Sequence, residues 1–331
     1  MGKYKLSKKH RKMIIIAVTI GIIIIVIAGM TITYRRQTKD YMTRDQLWQQ
    51  GIIKDGRTLY QYKKNMHTYL VMGIDKEGAM ERAESYTEGG QADALFLLVT
   101  DAEQKKISII AINRNTMTQV KTYSRDGVYL GDRQAQICVQ HGFGDGLEES
   151  CQLTENAVQN ILSGIPIDGY ISVGYDAIYA LNHELGGVEV NVLQDINYGV
   201  DVDLHKGEKK VLTDNDAYAY VRYRDTTQFN SASDRLDRDI QYIKACYKKY
   251  QQSSNKLQLL ENIYTSTKQY IYADVSVLQL GYELATYKFD EEHIYNLPGE
   301  QVMGDRFVEY YLDEDGVREV IYKVYYDKVI W

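Results

Sequence analysis

The stretch Ala217–Arg238, AYAYVRYRDTTQFNSASDRLDR, holds Arg222, Arg224, Arg235 and Arg238 within seventeen positions. The chain as a whole is acidic, with a formal net charge of -6. Guanidinium groups gathered in such a chain suggest a bound anion, because an arginine fork meets phosphate oxygens in pairs and with direction. Asp225, Asp234, Asp237 and Asp239 lie among the arginines. A second reading therefore stands beside the first: solvated arginines paired with nearby carboxylates, each pair worth ~0–1 kcal/mol.

The spacing adds geometry. Tyr218 to Tyr223 has strand character, which puts Arg222 and Arg224 on one side at its end. From Asp234 the pattern turns helical, with Leu236, Ile240, Ile243 and Tyr247 on one apolar face. Arg235 and Arg238 are then neighbours on the first turn. A strand-end pair and a helix-start pair, beside the free N–H groups of a helix N-terminus, suit a compact and multiply charged anion such as a pyrophosphate.

A second constellation comes from a hairpin. ALFLLVT, residues 94–100, and ISIIAI, residues 107–112, read as strands joined by DAEQKK. With the turn centred between Glu103 and Gln104, position 93 lies opposite position 114. Asp93, Arg114 and Asn115 then meet at one edge of a sheet. A carboxylate and a neutral oxygen can serve Mg²⁺, which often completes its shell with water and substrate phosphate. An Asp93–Arg114 salt bridge that staples the hairpin is the equal alternative.

The elements around these residues alternate. TYLVMGI, residues 68–74, reads as a buried strand ending at Asp75, and a Gly- and Glu-rich loop runs from there to about Ala92. Helices are expected over Leu153–Leu162, Asp176–Leu185, Lys256–Tyr270 and Asp315–Tyr326. Strands are expected over Tyr170–Val173, Val188–Val192 and His293–Leu297. Strands interleaved with helices predict an α/β fold: a mixed central β-sheet covered by helices on both faces.

Composition narrows the classes further. An acidic chain is a poor partner for nucleic acid, which demands a basic face. Cys138, Cys151 and Cys246 lack metal-ligand spacing and read as small buried hydrophobes, with a Cys138–Cys151 bridge as the other option. His67, His141, His183, His205 and His293 are scattered singly, as surface or cap residues are. Gly142-Phe143-Gly144-Asp145-Gly146 reads as a turn rather than a phosphate loop. The motifs of serine hydrolases, zinc peptidases and P-loop enzymes are absent.

The N-terminus carries its own signal. Met13–Thr33 is uncharged and about the ~20 residues a helix needs to cross a bilayer. Lysines and arginines precede it, so residues 1–12 are expected in the cytoplasm and everything after Thr33 outside. Residues 34–66 read as a linker and 67–328 as the main domain, giving a single-pass cell-membrane protein.

These landmarks, taken in order, resemble the LytR-CpsA-Psr (LCP) family, whose domain is also labelled a cell envelope-related transcriptional attenuator. LVMGID resembles the family's opening strand. GGQADALFLLVTDAEQKKISIIAINRNT resembles its paired-strand block. ILSGIPIDGYISVGYDAIYALNHELGGVEVNV resembles its central block, LTDNDAYAYVRYRD its R-x-R element, and SDRLDRDIQYI its R-x-x-R-Q helix start. The resemblance covers roughly His67 to Tyr326 and implies an LCP-like α/β/α fold. It implies a membrane-anchored transferase of mostly Gram-positive bacteria. That enzyme would move a glycopolymer from a polyprenyl-pyrophosphate carrier to a hydroxyl of peptidoglycan through a phosphodiester. Arg222 and Arg224 would bind the pyrophosphate, Arg235 and Arg238 would support it, and Arg114 would face it. Asp93, with Asn115 and Asp75 as neighbours, would hold Mg²⁺. An apolar groove between sheet and helices would take the lipid.

Three departures from the family pattern bear on activity. The P-R-D element reads Asn113-Arg114-Asn115, the R-x-D element reads Gln91-Ala92-Asp93, and the R-Q ending reads Arg238-Asp239. Each lowers the positive charge or the base capacity of the site, and the amide at 115 weakens the expected hold on Mg²⁺. The alternative function is therefore a non-catalytic copy that binds lipid-linked or wall glycan. A cytoplasmic tail of about a dozen residues is too short for a DNA-binding domain, so direct regulation is not expected.

Overall fold

The computed structural model describes residues 53–275 and 277–329. The expected membrane segment Met13–Thr33 and its flanks lie outside them. Among the described residues, no helix is long and apolar enough to cross a membrane. The strands are β1 (Ile53–Asp55), β2 (Thr58–Tyr62), β3 (Met66–Ile74), β4 (Ala92–Asp101), β5 (Lys106–Ile112), β6 (Met117–Tyr123), β7 (Tyr129–Gln136), β8 (Gly169–Gly174), β9 (Glu189–Asn191), β10 (Ile196–Tyr198), β11 (Val202–Leu204), β12 (Lys209–Val211), β13 (Ile271–Ala273), β14 (Lys288–Asn296), β15 (Gly299–Met303), β16 (Val308–Leu312) and β17 (Tyr326–Val329). The α-helices are α1 (Glu148–Ile161), α2 (Asp176–Leu185), α3 (Asp214–Arg222), α4 (Ser231–Gln251), α5 (Lys256–Thr267), α6 (Val277–Thr286) and α7 (Glu314–Tyr325).

The central sheet has the order β13-β8-β3-β4-β5-β14. It is mixed: β8 and β14 run parallel to β3 and β5, and the other neighbours are antiparallel. Side chains alternate across a strand, so each face collects its own apolar set. Leu70, Met72 and Ile74 of β3 and Leu95, Leu97 and Val99 of β4 form one core with α1 and α7. Val71, Phe96, Leu98, Ile107 and Ile109 face the other way. There they meet the expected stripe of α4, Leu236, Ile240, Ile243 and Tyr247. Helices thus pack on both faces of a mixed sheet. A third core joins α2, α3 and the short strands β9 to β11 through Leu185, Val190, Ile196, Leu204 and Tyr220.

Several expectations give way. Residues 53–62, read as linker, form β1 and β2, which pair with β17 in a separate three-stranded sheet. Tyr218 to Tyr223 is not a strand. Residues 214–222 are helical because Thr213 and Asp216 close a capping box, each side chain accepting from the other's backbone N–H. Ala217 to Val221 are all buried, so the Ala/Tyr alternation reflects crowding on every side of α3 rather than a half-exposed strand. His141 is not a surface residue either. It is fully buried with Nδ1 3.0 Å from the Gly90 carbonyl, and burial pushes its pKa down to about 4. Cys138 and Cys151 are buried free thiols, without a bridge between them. The glycine-rich segment 142–146 ends a 3-10 helix, Ile137–Phe143, and turns after it: Asp145 Oδ1 accepts the N–H groups of Leu147 and Glu149 at the start of α1, filling the place an anion would take.

Candidate active site

The hairpin register matches the sequence expectation. Leu95 pairs with Ile112 and Asp101 with Lys106, which centres the turn between residues 103 and 104 and carries Asp93 to Arg114. A β-bulge then turns Asp93. β3 and β4 pair as Gly73 with Ala94 but Ile74 with Ala92, leaving Asp93 as the extra residue. Simple alternation would send Asp93 to the side of Leu95. The bulge instead sends Ala92 into the first core, and Asp93 lines a cavity on the other face with Ala94 and Phe96.

Three side chains hold the Asp93 carboxylate. Arg114 Nε is 2.8 Å from Oδ1, a charge contact out of line for a directed hydrogen bond. Arg235 Nη1 donates to Oδ2 at 2.8 Å, and its Nη2 donates to the Asp93 carbonyl at 2.8 Å. The Tyr175 hydroxyl donates to Oδ2 at 2.9 Å. Burial favours the neutral acid, but Arg235 and Arg114 outweigh it and hold the carboxyl below the usual carboxylate range. Burial likewise works against charge on Arg235, and Asp93 more than offsets it. Burial and Asp93 push the Tyr175 phenol up, so it remains a donor. The salt bridge between Asp93 and Arg114 therefore forms, joined by a second arginine.

The four arginines of the opening stretch separate into different roles. Arg224 is half-buried, and its Nε donates to Ser231 Oγ at 3.1 Å. Among the described residues no carboxylate pairs with it. Burial lowers its pKa, and Arg114 and Arg235 lower it further, which places three cations in one neighbourhood. Arg222 lies over the rings of Tyr175 and Tyr218, 5.0 and 5.2 Å from their centroids, and pairs with Glu77. Arg238 is 1% exposed, and its donors go to the Tyr220 carbonyl at 2.8 Å, the Tyr223 carbonyl and Gln194. It caps the C-terminal end of α3 from α4, an arginine on the last carbonyls of a helix. Arg238, expected as a supporting residue beside Arg235, thus has its donors on backbone carbonyls and Gln194 rather than toward Asp93.

The residues expected around a metal also separate. Asn115 is fully buried, and its Oδ1 already accepts from Gln136 Nε2 at 3.0 Å and Arg114 Nη1 at 3.4 Å. Gln136 Nε2 also donates to the Val308 carbonyl, and Tyr310 N–H donates to the Asn115 carbonyl, so Asn115 ties β7 and β16 to the turn that carries Arg114. Asp75 Oδ1 accepts the Gln91 N–H at 2.5 Å. Burial raises the Asp75 pKa, and the charge of Asp93 adds to the rise. Two carboxylates that repel one another fit a divalent cation, which commonly takes one or two carboxylates and leaves the rest to water and phosphate. Asp75 and Asp93 carry the two carboxylates of such a donor set, although both Asp93 oxygens already meet Arg114, Arg235 or Tyr175; the Asn115 oxygen is neutral and likewise engaged. No cluster of three His, Cys, Asp or Glu residues arranged for a metal occurs among the described residues.

Sequence reasoning passed over Gln91 and Tyr175. Gln91 was noticed only as a missing arginine, yet its Oε1 accepts from Arg114 Nη2 at 2.5 Å while its backbone pairs with Asp75. Tyr175 stands between β8 and α2, and its place at a strand end entering a helix was the available signal.

From Asp93 and Arg235 an apolar cavity of about 460 Å³ runs between the sheet and the helices. Val71, Phe96 and Val173 form its floor, and Ile178, Leu181, Tyr242, Ile243 and Leu284 its walls. Arg222 and Arg224 are not part of the lining, although Tyr175, beneath Arg222, is. Asp239 lines the cavity one helical turn beyond Arg235. Burial pushes its carboxyl up to about 7 against the opposing pull of Arg235 and Arg238.

Comparison with known proteins follows the same lines. TagV of Bacillus subtilis, a polyisoprenyl-teichoic acid--peptidoglycan teichoic acid transferase, is 29% identical over 201 residues, which are 58% of this chain and 46% of that protein. TagU of Halalkalibacterium halodurans, with the same activity in its name, is 29% identical over 189 residues, 56% of this chain and 54% of that one. The chain thus matches about half the length of these relatives. The crystal structure of B. subtilis TagV superposes with a TM-score of 0.62 at 22% identity, covering 79% of this chain and 96% of that one. The structure of TagT bound to LI-WTA gives 0.55 at 19% identity, covering 79% and 90%. At those identities the superpositions establish the fold. The sequence pattern of the LytR_cpsA_psr family matches residues 29–324, nearly the whole chain, and the chain belongs to that family.

Proposed function

We propose that this protein moves a glycopolymer from a polyprenyl-pyrophosphate carrier to a hydroxyl of peptidoglycan. The observation that carries the reading is an apolar cavity whose Asp93–Arg235 end adjoins a cluster of arginines, Arg114 and Arg224. An amphiphile with a long hydrocarbon tail and a multiply charged head needs both, and few other small ligands do. The tail would occupy the cavity, and the pyrophosphate would meet Arg114, Arg224 and Arg235. Transferase names among the relatives support this class of activity.

Phosphoryl transfer asks a protein mainly to position the groups and neutralise phosphate oxygens. Arg224, without a carboxylate partner, would take the incoming phosphate most directly. Arg114 and Arg235 would share their charge between Asp93 and the ligand. The acceptor hydroxyl would attack the phosphorus that bears the glycan. The bridging oxygen would leave with polyprenyl phosphate, and the hydroxyl proton would pass to solvent. Arg222 would stand at the rim, and Arg238 would hold α3 and α4 in register. Mg²⁺ bound by Asp75 and Asp93 would further neutralise the phosphates. Met13–Thr33 would keep the enzyme at the bilayer that holds its carrier, raising the effective concentration.

Asp239 and Asn115 favour a second reading, a copy that binds the carrier without turning it over. Asp239 adds a carboxyl to the cavity wall, and the Asn115 oxygen is spoken for.

Binding tests the shared part of both readings. Farnesyl pyrophosphate is expected to bind at least about tenfold tighter than inorganic pyrophosphate, since each buried CH₂ contributes ~0.8 kcal/mol. Leu181→Trp, which fills the cavity, removes that advantage and leaves pyrophosphate unaffected, whereas Arg224→Ala weakens both ligands. Equal affinity of the two ligands for wild type would rule out the cavity as a lipid site.

A further inference from the structure

A second cavity, of about 310 Å³, lies at the other end of the central sheet. Asp93 lies near the start of β4 and Asp101 at its end, so the two sites stand about 25 Å apart at ~3.3 Å per residue. The side chains lining this cavity are unusual for an acidic chain. Lys63, Lys106, Lys323 and Lys328 line it together with His293. Two carboxylates, Asp101 and Asp327, also line it. Asp101 Oδ1 is engaged by the N–H groups of Glu103 and Gln104 in the β4–β5 turn, and its Oδ2 lies 3.9 Å from Lys63 Nζ. Lys63 also donates to the Val324 carbonyl at 2.8 Å, and Lys323 Nζ lies 4.8 Å from the Tyr295 ring centroid. The ammonium groups of Lys106 and Lys328 make no ion pair or hydrogen bond among the described residues. Four ammonium groups facing two carboxylates leave the cavity positive.

The backbone is shaped to the same end. β14 pairs Phe289 with Ile107 and Ile294 with Ile109, so residues 290–293 oppose the single residue Ser108. This bulge brings His293 to the cavity that Ser108 also lines. His293 Nδ1 is buried and lacks a hydrogen-bond partner among the described residues. A buried ring nitrogen without a partner is costly unless a ligand or water completes it.

We infer that this cavity is a second anion site that takes a phosphorylated polyol or sugar unit, as found in a phosphodiester-linked polymer. All the cations are lysines. Compact ammonium charges suit a tetrahedral phosphate approached from several directions, whereas planar carboxylates are matched by arginine forks, which the lining lacks. The volume suits one such unit and lies at the small end of ligand sites. The lysines line a recess, which a single unit can enter and a planar bilayer surface cannot. The choice of a polymer unit rests on the transfer reading, whereas the anion site itself concerns different residues at the opposite sheet end.

The test is calorimetric titration of the full chain in detergent with glycerol 3-phosphate, inorganic phosphate and anionic phospholipid vesicles. Glycerol 3-phosphate is expected to bind more tightly than inorganic phosphate, to weaken with salt, and to bind about tenfold less well to the Lys106→Ala/Lys328→Ala variant. Both residues are exposed, so their loss leaves the fold intact. His293→Gln is expected to weaken it too, and the lysine and histidine variants are compared in the Arg224→Ala background, so that the arginine cluster adds no phosphate binding of its own. The proposal is overturned if no saturation appears below about 10 mM. It is also overturned if binding is lost in Arg224→Ala but not in the lysine variant, or if only vesicles bind.

Discussion

Four arginines close in sequence do different work because their partners differ. Arg224 has a serine hydroxyl beside it and, among the described residues, no carboxylate partner, so its charge is available; Arg238 is spent on backbone carbonyls. Arg224→Ala is expected to change folding stability by less than about 1 kcal/mol yet weaken carrier binding strongly. Arg238→Ala strands two buried carbonyls and is expected to cost ~2–5 kcal/mol. Urea denaturation checks the pair, and equal losses of stability would contradict the division of roles. Asp239 supplies the pH prediction. Its folded pKa of about 7 stands above the ordinary value of 3.8, so the folded protein holds that proton more tightly than the unfolded chain. The resulting stability is complete below about pH 4 and is lost as pH rises through 7, on the order of a few kcal/mol. Asp239→Asn cannot lose that proton. Its melting temperature relative to wild type should therefore climb between pH 4 and pH 7 and level off above. Parallel melting curves for the two proteins would contradict the assignment.

At the scale of elements, the site is held by a bulge, a turn and two strands that meet it from afar. Asn115 and Gln136 link the Arg114 turn to β7 and β16. Asn115→Ala and Gln136→Ala should each cost ~1–3 kcal/mol, and the double variant less than their sum, because they break one shared contact. Strict additivity in denaturant titrations would argue against the link. Much of this layout was legible in the chain. The apolar runs of β3, β4 and β5 gave their strands, and the turn residues gave a register that places Asp93 at Arg114. The helical stripe of α4 gave its packing face. The bulge at Asp93 was not legible, since one extra residue leaves no mark in an alternating pattern. The helix α3 was misread because Ala-Tyr-Ala-Tyr mimics strand alternation when every side is buried, although Thr213 and Asp216 offered a capping box. The role of Arg238 depends on where the end of α3 falls, which no spacing within α4 reveals.

At the scale of the molecule, the domain extends further toward the N-terminus than the apolar pattern suggested. β2 pairs with β17, and Tyr62, 2% exposed, stacks with Tyr325 and meets the edge of Tyr326. A chain beginning at Met42 should fold cooperatively. One beginning at His67 loses β1, β2 and the Tyr62 anchor, whose burial alone contributes ~2–3 kcal/mol, and should be less stable or insoluble. Melting curves of the two pieces decide it, and indistinguishable curves would contradict the placement of β2 in the fold. A domain of this extent joins the lipid-sized cavity, the arginine cluster and the opposite lysine cavity in one unit.

The most direct test of the central claim is transfer itself. The full chain in a membrane mimic would be given a polyprenyl-pyrophosphate glycan, peptidoglycan and Mg²⁺, and phosphodiester-linked product would be measured for wild type and Arg224→Ala. The account predicts wild-type product that falls about a hundredfold or more in Arg224→Ala, the scale of losing one group that stabilises transition-state charge. Carrier binding without any wild-type product, or full activity in Arg224→Ala, would contradict it.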